Sequence, residues 1–314
     1  MLNYKKIYIA GHNGMVGSAI INELKRSNYN GKIILASRKE LDLINQKKVD
    51  KFIQYNKPDA IIIAAAKVGG IQANHSYPAQ FIYENLQIYT NLIHCAFLNQ
   101  VRKVLFLGSS CIYPRNAKQP INEEQLLTGE LEKTNEWYAV SKIAGIKLCQ
   151  AYQRQYNCNF ISVMPTNLYG ERDNYHLDDA HVIPALMHKA YLAKTNQEKE
   201  LKIWGSGNPM REFLFVDDLA KGCLFLLDSY TGTEPINIGT GSEISIKNLA
   251  IKISDIAGFK GKLVFDKSKP DGTPRKILNI NKIRNLGWKA EINLDEGLKL
   301  SYKWFVDNYK KIRK

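Results

Sequence analysis

The chain of 314 residues has no long hydrophobic run. Its purest apolar stretch, residues 60–66, is the length of a strand, whereas a membrane-spanning helix needs about 20 apolar residues. The beginning of the chain has no adequate apolar segment and no cleavage site, so we expect no signal peptide. Neither end carries a lipidation motif. These absences predict a protein that has no membrane partner.

Cysteine is scarce, and its pattern excludes two kinds of site. The chain has an odd number of cysteines and no CxxC spacing, so neither a disulfide framework nor a metal site is predicted. Reduced thiols are typical of the cytoplasm, where we expect this protein to reside. The five cysteines are Cys95, Cys111, Cys149, Cys158 and Cys223.

Acidic residues are outnumbered: the chain has 44 Lys and Arg but only 30 Asp and Glu, which gives a net charge of +14. Such an excess is typical of nucleic-acid binding when the cations cluster. Here they are spread along the chain, and the only dense group, residues 309–314, suits a solvated helix end. We therefore expect no nucleic-acid partner, but attraction of small polyanions.

A glycine-rich loop follows the first apolar stretch. Residues 6–10 read as a buried strand, the glycines come next in a G-x-x-G-x-x-G spacing, and a helical pattern begins at once. Glycines allow a tight turn and a close approach of the backbone to a pyrophosphate, which the helix N-terminus attracts. A ligand-free turn is the alternative, but the flanking elements favour a dinucleotide site. The loop consists of Gly11, His12, Asn13, Gly14, Met15, Val16 and Gly17.

The tip of the second predicted strand bears on the choice of cofactor. An NAD enzyme usually places an acid there for the ribose 2′-hydroxyl. This chain has Ser37, Arg38 and Lys39 instead. The forked guanidinium of Arg38 suits a phosphate, so we predict NADP(H). Glu40 and Asp42 come slightly later and weaken this prediction, and Arg38 can also be read as a solvated surface cation.

Strand and helix patterns alternate over more than 150 residues, which predicts an α/β fold with a Rossmann-type, doubly wound parallel sheet. We assign residues 1–170 to an NADP-binding domain, to which residues 209–235 return. Residues 171–208 and 236–314 are assigned to a smaller C-terminal α/β substrate-binding lobe. The strands are predicted at 6–10, 32–36, 60–65, 103–107 and 160–164, and the helices at 15–26, 46–56, 78–99 and 135–156.

Tyr138 and Lys142 are four residues apart in a helical pattern and share one face of that helix. A cation beside a phenol favours the phenolate, so Lys142 would lower the Tyr138 pKa. A tuned tyrosine can exchange a proton with a substrate oxygen. Ser109, at the carboxyl end of the fourth strand, can hydrogen-bond the same oxygen. Together with the cofactor loop, this set predicts interconversion of a carbonyl and an alcohol.

Seven motifs spread in order over the chain carry a family resemblance. They are GHNGMVGSAI, FLGSSCIYP, TNEWYAVSKIAGIKL, VMPTNLYG, HVIPAL, WGSGNPMREFLFVDD and DGTPRK. The chain thereby resembles the extended short-chain dehydrogenase/reductases, and within them the GDP-4-keto-6-deoxy-D-mannose 3,5-epimerase/4-reductase family. The resemblance implies an NADPH-dependent enzyme that converts this GDP-4-keto sugar to GDP-L-fucose. It also implies a homodimer, paired through the helices at 78–99 and 135–156.

The resemblance implies a role for each matching residue. Ser109, Tyr138 and Lys142 would serve C4 reduction, and Cys111 and His181 would be the base and acid of epimerisation. The cofactor would be held by the glycine loop, by Arg38 and Lys142, and by two loops that contain Leu107, Gly108, Ser109, Ser110, Pro165, Thr166, Asn167 and Leu168. The GDP-sugar would be bound by Lys189, Trp204, Arg211 and Asp271.

Simpler readings of these residues stay open. Cys111 can be a small buried filler, His181 can cap a helix, and Trp204 can belong to the core. Lys189 and Asp271 can be surface charges. Asn13 stands where many members of the family carry a cation near the cofactor phosphate.

The stretch 177–180, directly before His181, also departs from the family pattern. Its carboxylates, Asp178 and Asp179, would raise the His181 pKa if they lie close. They could also reshape the pocket for the sugar's C6. Two other hypotheses are therefore kept: a C4-reductase of another GDP-4-keto sugar, such as a heptose, with little epimerisation, and an inactive NADP-binding sensor.

Overall fold

The computed structural model describes residues 2–177, 180–269 and 271–312. The strands are β1 (Lys6–Ala10), β2 (Lys32–Ile34), β3 (Ala60–Ile63), β4 (Lys103–Leu107), β5 (Phe160–Pro165), β6 (Asn167–Tyr169), β7 (Glu200–Trp204), β8 (Met210–Phe215), β9 (Ile236–Ile238), β10 (Glu243–Ser245), β11 (Lys262–Asp266) and β12 (Arg275–Lys276). The helices are α1 (Met15–Arg26), α2 (Gln46–Asn56), α3 (Ile71–Ser76), α4 (Pro78–Leu98), α5 (Glu136–Tyr156), α6 (Val182–Thr195), α7 (Val216–Ser229), α8 (Ile246–Ala257), α9 (Asn281–Asn285) and α10 (Leu294–Asn308).

A six-stranded parallel sheet forms the centre of the molecule. Its strands lie in the order β2-β1-β3-β4-β5-β9. The middle strands are buried throughout, as expected when helices cover both faces of a parallel sheet. The predicted Rossmann-type sheet is thus confirmed. Since β1 lies between β2 and β3, the strand order reverses there, and ligands bind at the carboxyl ends of strands at such a point.

Helix α5 packs closely on the sheet and on α4. A Cβ at Gly145 of α5 would collide with the ring of Phe106 on β4, so only a glycine permits this approach. Helix α7 packs against α1, and the two helices are also joined by Arg26 Nη1 and Asp217 Oδ2, which are 2.6 Å apart. The middle of α5 is therefore held against β4, and α7 against α1.

A second, smaller core lies among α6, α8, α10 and their strands. Strand β8 pairs with β6, β10 and β12, and β7 pairs with β11. Two segments differ from the predicted division of the chain. Strand β9, which we assigned to the second lobe, joins the large sheet, where it pairs with β5 and its three residues are buried. Strand β8, which we returned to the first domain, belongs to the smaller sheet.

Within the described ranges, no helix is long and apolar enough to cross a membrane. The same part of the chain contains no group of three or more His, Cys, Asp or Glu side chains arranged to hold a metal ion.

Candidate active site

The carboxyl end of β4 leads directly into a short serine-rich turn. Ser109 is extended, and its Oγ accepts a hydrogen bond from the Cys111 N–H at 3.3 Å. Residues Ser110–Ile112 form one turn of 3-10 helix, in which Ser110 is buried and Cys111 is half-buried. Because Ser109 accepts from the backbone, its own hydroxyl hydrogen can be donated to a ligand.

Tyr138 and Lys142 lie on the first turns of α5 and face this turn. The Lys142 Nζ is 5.7 Å from the Tyr138 ring centroid and donates to the Leu107 carbonyl oxygen at 2.5 Å. It also lies 4.7 Å and 5.0 Å from the ring centroids of Tyr89 and Phe106. The lysine, only 3% exposed, is therefore fixed between the end of β4 and aromatic rings.

Burial dominates the protonation of this pair. It raises the pKa of Tyr138, which the nearby Cys111 raises further. It lowers the pKa of Lys142 to about 7, and Cys111 partly opposes that shift. The direction at Tyr138 is opposite to the one predicted from the sequence, because desolvation of the phenolate outweighs the attraction of a lysine that is itself desolvated. Tyr138 is thus a neutral phenol that holds its proton.

The glycine loop makes a tight turn directly after β1, next to the point between β1 and β3 where the strand order reverses. Gly11 has a φ of +87°, and a Cβ there would lie 2.6 Å from the backbone nitrogen of Ala65, beyond β3. A Cβ at Gly17 would collide with the Gly11 carbonyl oxygen. Gly14 precedes α1 and has no side chain to cap it, which leaves the amides of the first turn for a ligand. This cradle fits the pyrophosphate of a dinucleotide.

Other predicted cofactor residues lie in the glycine loop, after β2 and after β5. The buried Nδ1 of His12 has no hydrogen-bond partner among the described residues. Arg38 is exposed, and its Nη2 lies 3.6 Å from Glu84 Oε2. Thr166 and Asn167, which follow β5, both donate side-chain hydrogen bonds to the Glu212 carbonyl oxygen. The loop after β5 is therefore anchored to the smaller lobe.

His181 directly precedes α6, but its side chain does not cap that helix. The residue is exposed as a whole, although protein atoms crowd around its imidazole. Burial lowers the His181 pKa, and the positive charge of Lys276 lowers it further. The predicted influence of Asp178 and Asp179 lies outside the described residues.

The predicted GDP-sugar residues occupy one region of the smaller lobe. Trp204 is 54% exposed, so it is not a core residue, and Lys189 Nζ and Lys269 Nζ lie 5.0 Å and 5.4 Å from its ring centroid. Asp271 accepts two hydrogen bonds from Ser206, at 2.6 Å from its N–H and 2.7 Å from its hydroxyl. Burial lowers the pKa of Arg211, an effect that Asp271 opposes.

Sequence reasoning assigned no role to Lys276 or Glu212. Lys276 pairs in register with Arg211 and lines a cavity together with Cys111. Burial lowers the Lys276 pKa, against the influence of Cys111. Glu212 is buried and accepts hydrogen bonds from the backbone N–H groups of Thr240, Gly241 and Leu278. Lys276 lies in a two-residue strand, which is too short to show a pattern. The backbone partners of Glu212 come from segments far along the chain, so its role could not be read from its own strand.

Comparisons with known proteins agree with this geometry. Residues 7–239 match the NAD dependent epimerase/dehydratase family. A GDP-L-fucose synthase of Sinorhizobium fredii (strain NBRC 101917 / NGR234) is 55% identical over 308 residues, which cover 98% of each chain. The crystal structure of a GDP-L-fucose synthetase from Naegleria fowleri bound to NADP has a TM-score of 0.93 at 30% identity and covers 100% of this chain and 98% of that one.

A third similar protein bears a different description. MlghC, a GDP-mannoheptose C4 reductase from Campylobacter jejuni with NADP bound, is 40% identical with a TM-score of 0.88. The match covers 98% of this chain and 99% of MlghC. The cradle at Gly11 and Gly17 and the NADP in both solved structures therefore agree with the predicted cofactor, NADP(H).

Proposed function

The chain belongs to the NAD dependent epimerase/dehydratase family, and from this membership we propose that it makes GDP-L-fucose. It epimerises GDP-4-keto-6-deoxy-D-mannose at C3 and C5 and reduces it at C4 with NADPH. The observation that carries the proposal is the near-full-length identity to a GDP-L-fucose synthase. The position of Ser109, Cys111 and Tyr138 around the end of β4 supports it.

Reduction of C4 requires a proton for the oxygen that becomes an alkoxide. The bound cofactor supplies a hydride. Tyr138 gives its phenolic proton to that oxygen, and Ser109 donates a hydrogen bond that stabilises the developing charge. Lys142, held by Leu107 and the aromatic rings, stabilises the phenolate that remains. The raised pKa of Tyr138 keeps the proton in place until the oxygen becomes basic.

Epimerisation uses the ketone before it is reduced. A carbonyl at C4 acidifies the hydrogens on C3 and C5, because the carbanion is an enolate. Cys111 as a thiolate accepts the proton from one face, and His181 as an imidazolium returns a proton to the other. The two residues come from different lobes, after β4 and before α6. A lowered pKa makes the imidazolium of His181 a stronger acid.

The nucleotide is held by the exposed face of the smaller lobe. Trp204 provides a stacking surface for guanine, and the ammonium groups of Lys189 and Lys269 beside it attract the diphosphate. Arg211 adds a third cation. Asp271 holds the turn at Ser206 next to this surface, and so orients the approach of the ligand.

A second candidate is C4 reduction of a GDP-4-keto heptose with little or no epimerisation. The specific observation in its favour is the similarity to a GDP-mannoheptose C4 reductase. Reduction needs only Ser109, Tyr138 and Lys142, so both candidates use the same reductase machinery. They differ in whether Cys111 and His181 exchange protons at C3 and C5.

The two candidates are separated by offering each substrate with NADPH and assigning product stereochemistry by NMR. We expect GDP-L-fucose from GDP-4-keto-6-deoxy-D-mannose, with slower turnover of a GDP-4-keto heptose. In deuterated water without NADPH, deuterium should enter C3 and C5. A reduced product with unchanged C3 and C5 would favour the second candidate. If no GDP-4-keto sugar is reduced, the result would favour the third hypothesis, an inactive NADP-binding sensor.

The epimerase role is tested by the same exchange experiment with Cys111→Ser. A serine hydroxyl is a far weaker base than a thiolate, so exchange should fall at least ~100-fold, the typical contribution of a general base, while NADPH binding persists. Cys158→Ser, at another half-buried cysteine, is the matched control. Exchange that persists unchanged in Cys111→Ser would contradict the assignment.

Quaternary state and location complete the proposal. We infer a homodimer formed through α4 and α5, because these helices expose apolar side chains, including Tyr83, Leu98, Val140 and Tyr156. Five free cysteines suit a cytoplasmic, reducing environment. The division into an NADP-binding domain and a substrate lobe is supported by the two separate hydrophobic cores.

A further inference from the structure

In the turn after β2, the backbone N–H and the hydroxyl of Ser37 both donate hydrogen bonds to the Glu40 carboxylate. The Ser37 N–H donates to Glu40 Oε2 at 2.7 Å, and the Ser37 hydroxyl donates to the same side chain. The turn is closed by the Leu41 N–H, which donates to the Ser37 carbonyl oxygen at 2.9 Å. Ser37 lies about twenty residues after the glycine loop, where Rossmann proteins hold the ribose 2′-position.

Glu40 is ionised in this arrangement. The two hydrogen bonds from Ser37 hold the pKa of its carboxyl below the usual range, and the nearby His12 acts in the same direction. His12 belongs to the glycine loop, so the Glu40 carboxylate lies within electrostatic range of the cofactor cradle. Since Oε2 accepts from Ser37, the other oxygen can accept from a ribose 2′-hydroxyl.

Arg38, the expected phosphate ligand, is also paired with an acid. Its Nη2 is 3.6 Å from Glu84 Oε2, while Lys67 Nζ lies 2.6 Å from the other oxygen of Glu84. The Arg38 side chain is 79% exposed, so this pair is weak and can be displaced. A 2′-phosphate, with a charge of about −2 at neutral pH, would compete with Glu84 for Arg38 and meet Glu40 as a like charge.

We propose that Glu40 is a specificity-determining residue that lowers the preference for NADPH over NADH, so that the enzyme accepts both cofactors. The carboxylate repels a 2′-phosphate and offers an acceptor to a 2′-hydroxyl, whereas Arg38 favours the phosphate. Selectivity is the difference between these opposed effects. This inference deepens the proposed function, since the same hydride-transfer site would be served by two cofactors.

The test measures 2′,5′-ADP and 5′-AMP binding by calorimetry, and kcat/KM with NADPH and NADH, for wild type and Glu40→Gln. Glutamine can still accept from Ser37 but has no charge. We expect it to raise the preference for the 2′-phosphorylated ligand by about three- to tenfold, as removal of one nearby like charge predicts. The change should appear in KM rather than kcat, and it should shrink at high salt because exposed charges are screened.

Asp42→Asn is the matched control, because Asp42 is a carboxylate of the same turn that accepts from the Ile44 N–H instead. An equal shift in both variants would show a general effect of net charge and overturn the proposal. So would an unchanged or lower preference in Glu40→Gln, or equal weakening of both ligands, which indicates a purely structural turn. Nucleotide binding needs no sugar, so a wrong proposed substrate would leave this result interpretable.

Discussion

At the scale of single residues, Lys142 is the best-defined group of the site. Its ammonium contacts a carbonyl oxygen and lies close to three aromatic rings, those of Tyr89, Phe106 and Tyr138. These contacts replace part of the water that burial removes. A lysine whose pKa falls to about 7 is neutral part of the time near neutral pH. The charge that assists Tyr138 therefore fades as pH rises above 7, and the reductase rate should fall with it.

Tyr138→Phe removes the proton donor while it leaves the ring in place. We expect the rate of NADPH oxidation to fall by about 10²- to 10⁴-fold, the usual contribution of a general acid, with NADPH affinity within about threefold of wild type. Stopped-flow absorbance and fluorescence titration give the two quantities. Tyr55→Phe, at an exposed tyrosine of α2, is the control and should turn over normally. Near-normal turnover of Tyr138→Phe would remove Tyr138 from the reaction.

At the scale of elements, the approach of α1 to the end of β1 depends on one glycine. A methyl group at Gly17 would collide with the Gly11 carbonyl oxygen, which is backbone and cannot rotate away. A Cβ at Gly14 would lie 3.5 Å from that oxygen, an ordinary contact. The two glycines of the motif therefore differ in what they tolerate, although the sequence presents them as equivalent.

Gly17→Ala should force the glycine loop away from α1 and weaken NADPH binding at least tenfold, with a loss of about 1–3 kcal/mol in the free energy of unfolding, as overpacking usually costs. Gly14→Ala should change the free energy of unfolding little, because a Cβ there makes only an ordinary contact with the protein. Calorimetric titration with NADPH and urea unfolding measure the difference. An equal loss of unfolding free energy in the two variants would mean that the loop is not held at this distance.

Elements with a clear hydrophobic period were predictable, and the short ones were not. The predicted helix at 46–56 agrees residue for residue with α2, and β1, β4 and α1 agree as well. Strands β6, β10 and β12 have two or three residues, too few for an alternation to be visible. Helix α3 was missed because six residues give less than two turns of periodicity.

The site residues likewise fall into two groups: those that nearby sequence predicts, and those whose environment depends on residues far along the chain. Ser109, Tyr138 and Lys142 follow from motif spacing, because a strand end and one helix face place them. The partner of Arg38 could not be predicted, since Glu84 comes from α4, far along the chain. The direction of the Tyr138 pKa shift was equally hidden, because spacing gives the distance to a charge but not the loss of water around it.

At the scale of the whole molecule, the net charge of +14 acts on ligands that are all anionic. Positive charges in the GDP region include Lys189, Lys269 and Arg211, while the turn after β2 has nearly balanced charge. A field of this kind raises the encounter rate of anions and is screened by salt, with a Debye length of about 10 Å at 0.1 M. Binding of the GDP-sugar should therefore weaken with salt more strongly than binding of the cofactor's 2′-end does.

Between about 0.02 and 0.5 M NaCl, where screening becomes strong, we expect kcat/KM for the GDP-4-keto sugar to fall at least tenfold, while kcat changes less than twofold. The decrease arises because salt weakens long-range attraction but hardly affects proton transfer between Tyr138 and an oxygen that it touches. Initial rates at saturating NADPH measure it. Lys269→Gln should make the decrease shallower, since it removes one cation beside Trp204. Lys310→Gln, in the basic group near the C-terminus, is the control for total charge. If both lysine variants flatten the salt dependence equally, attraction comes from the charge of the whole molecule and not from the cations around Trp204.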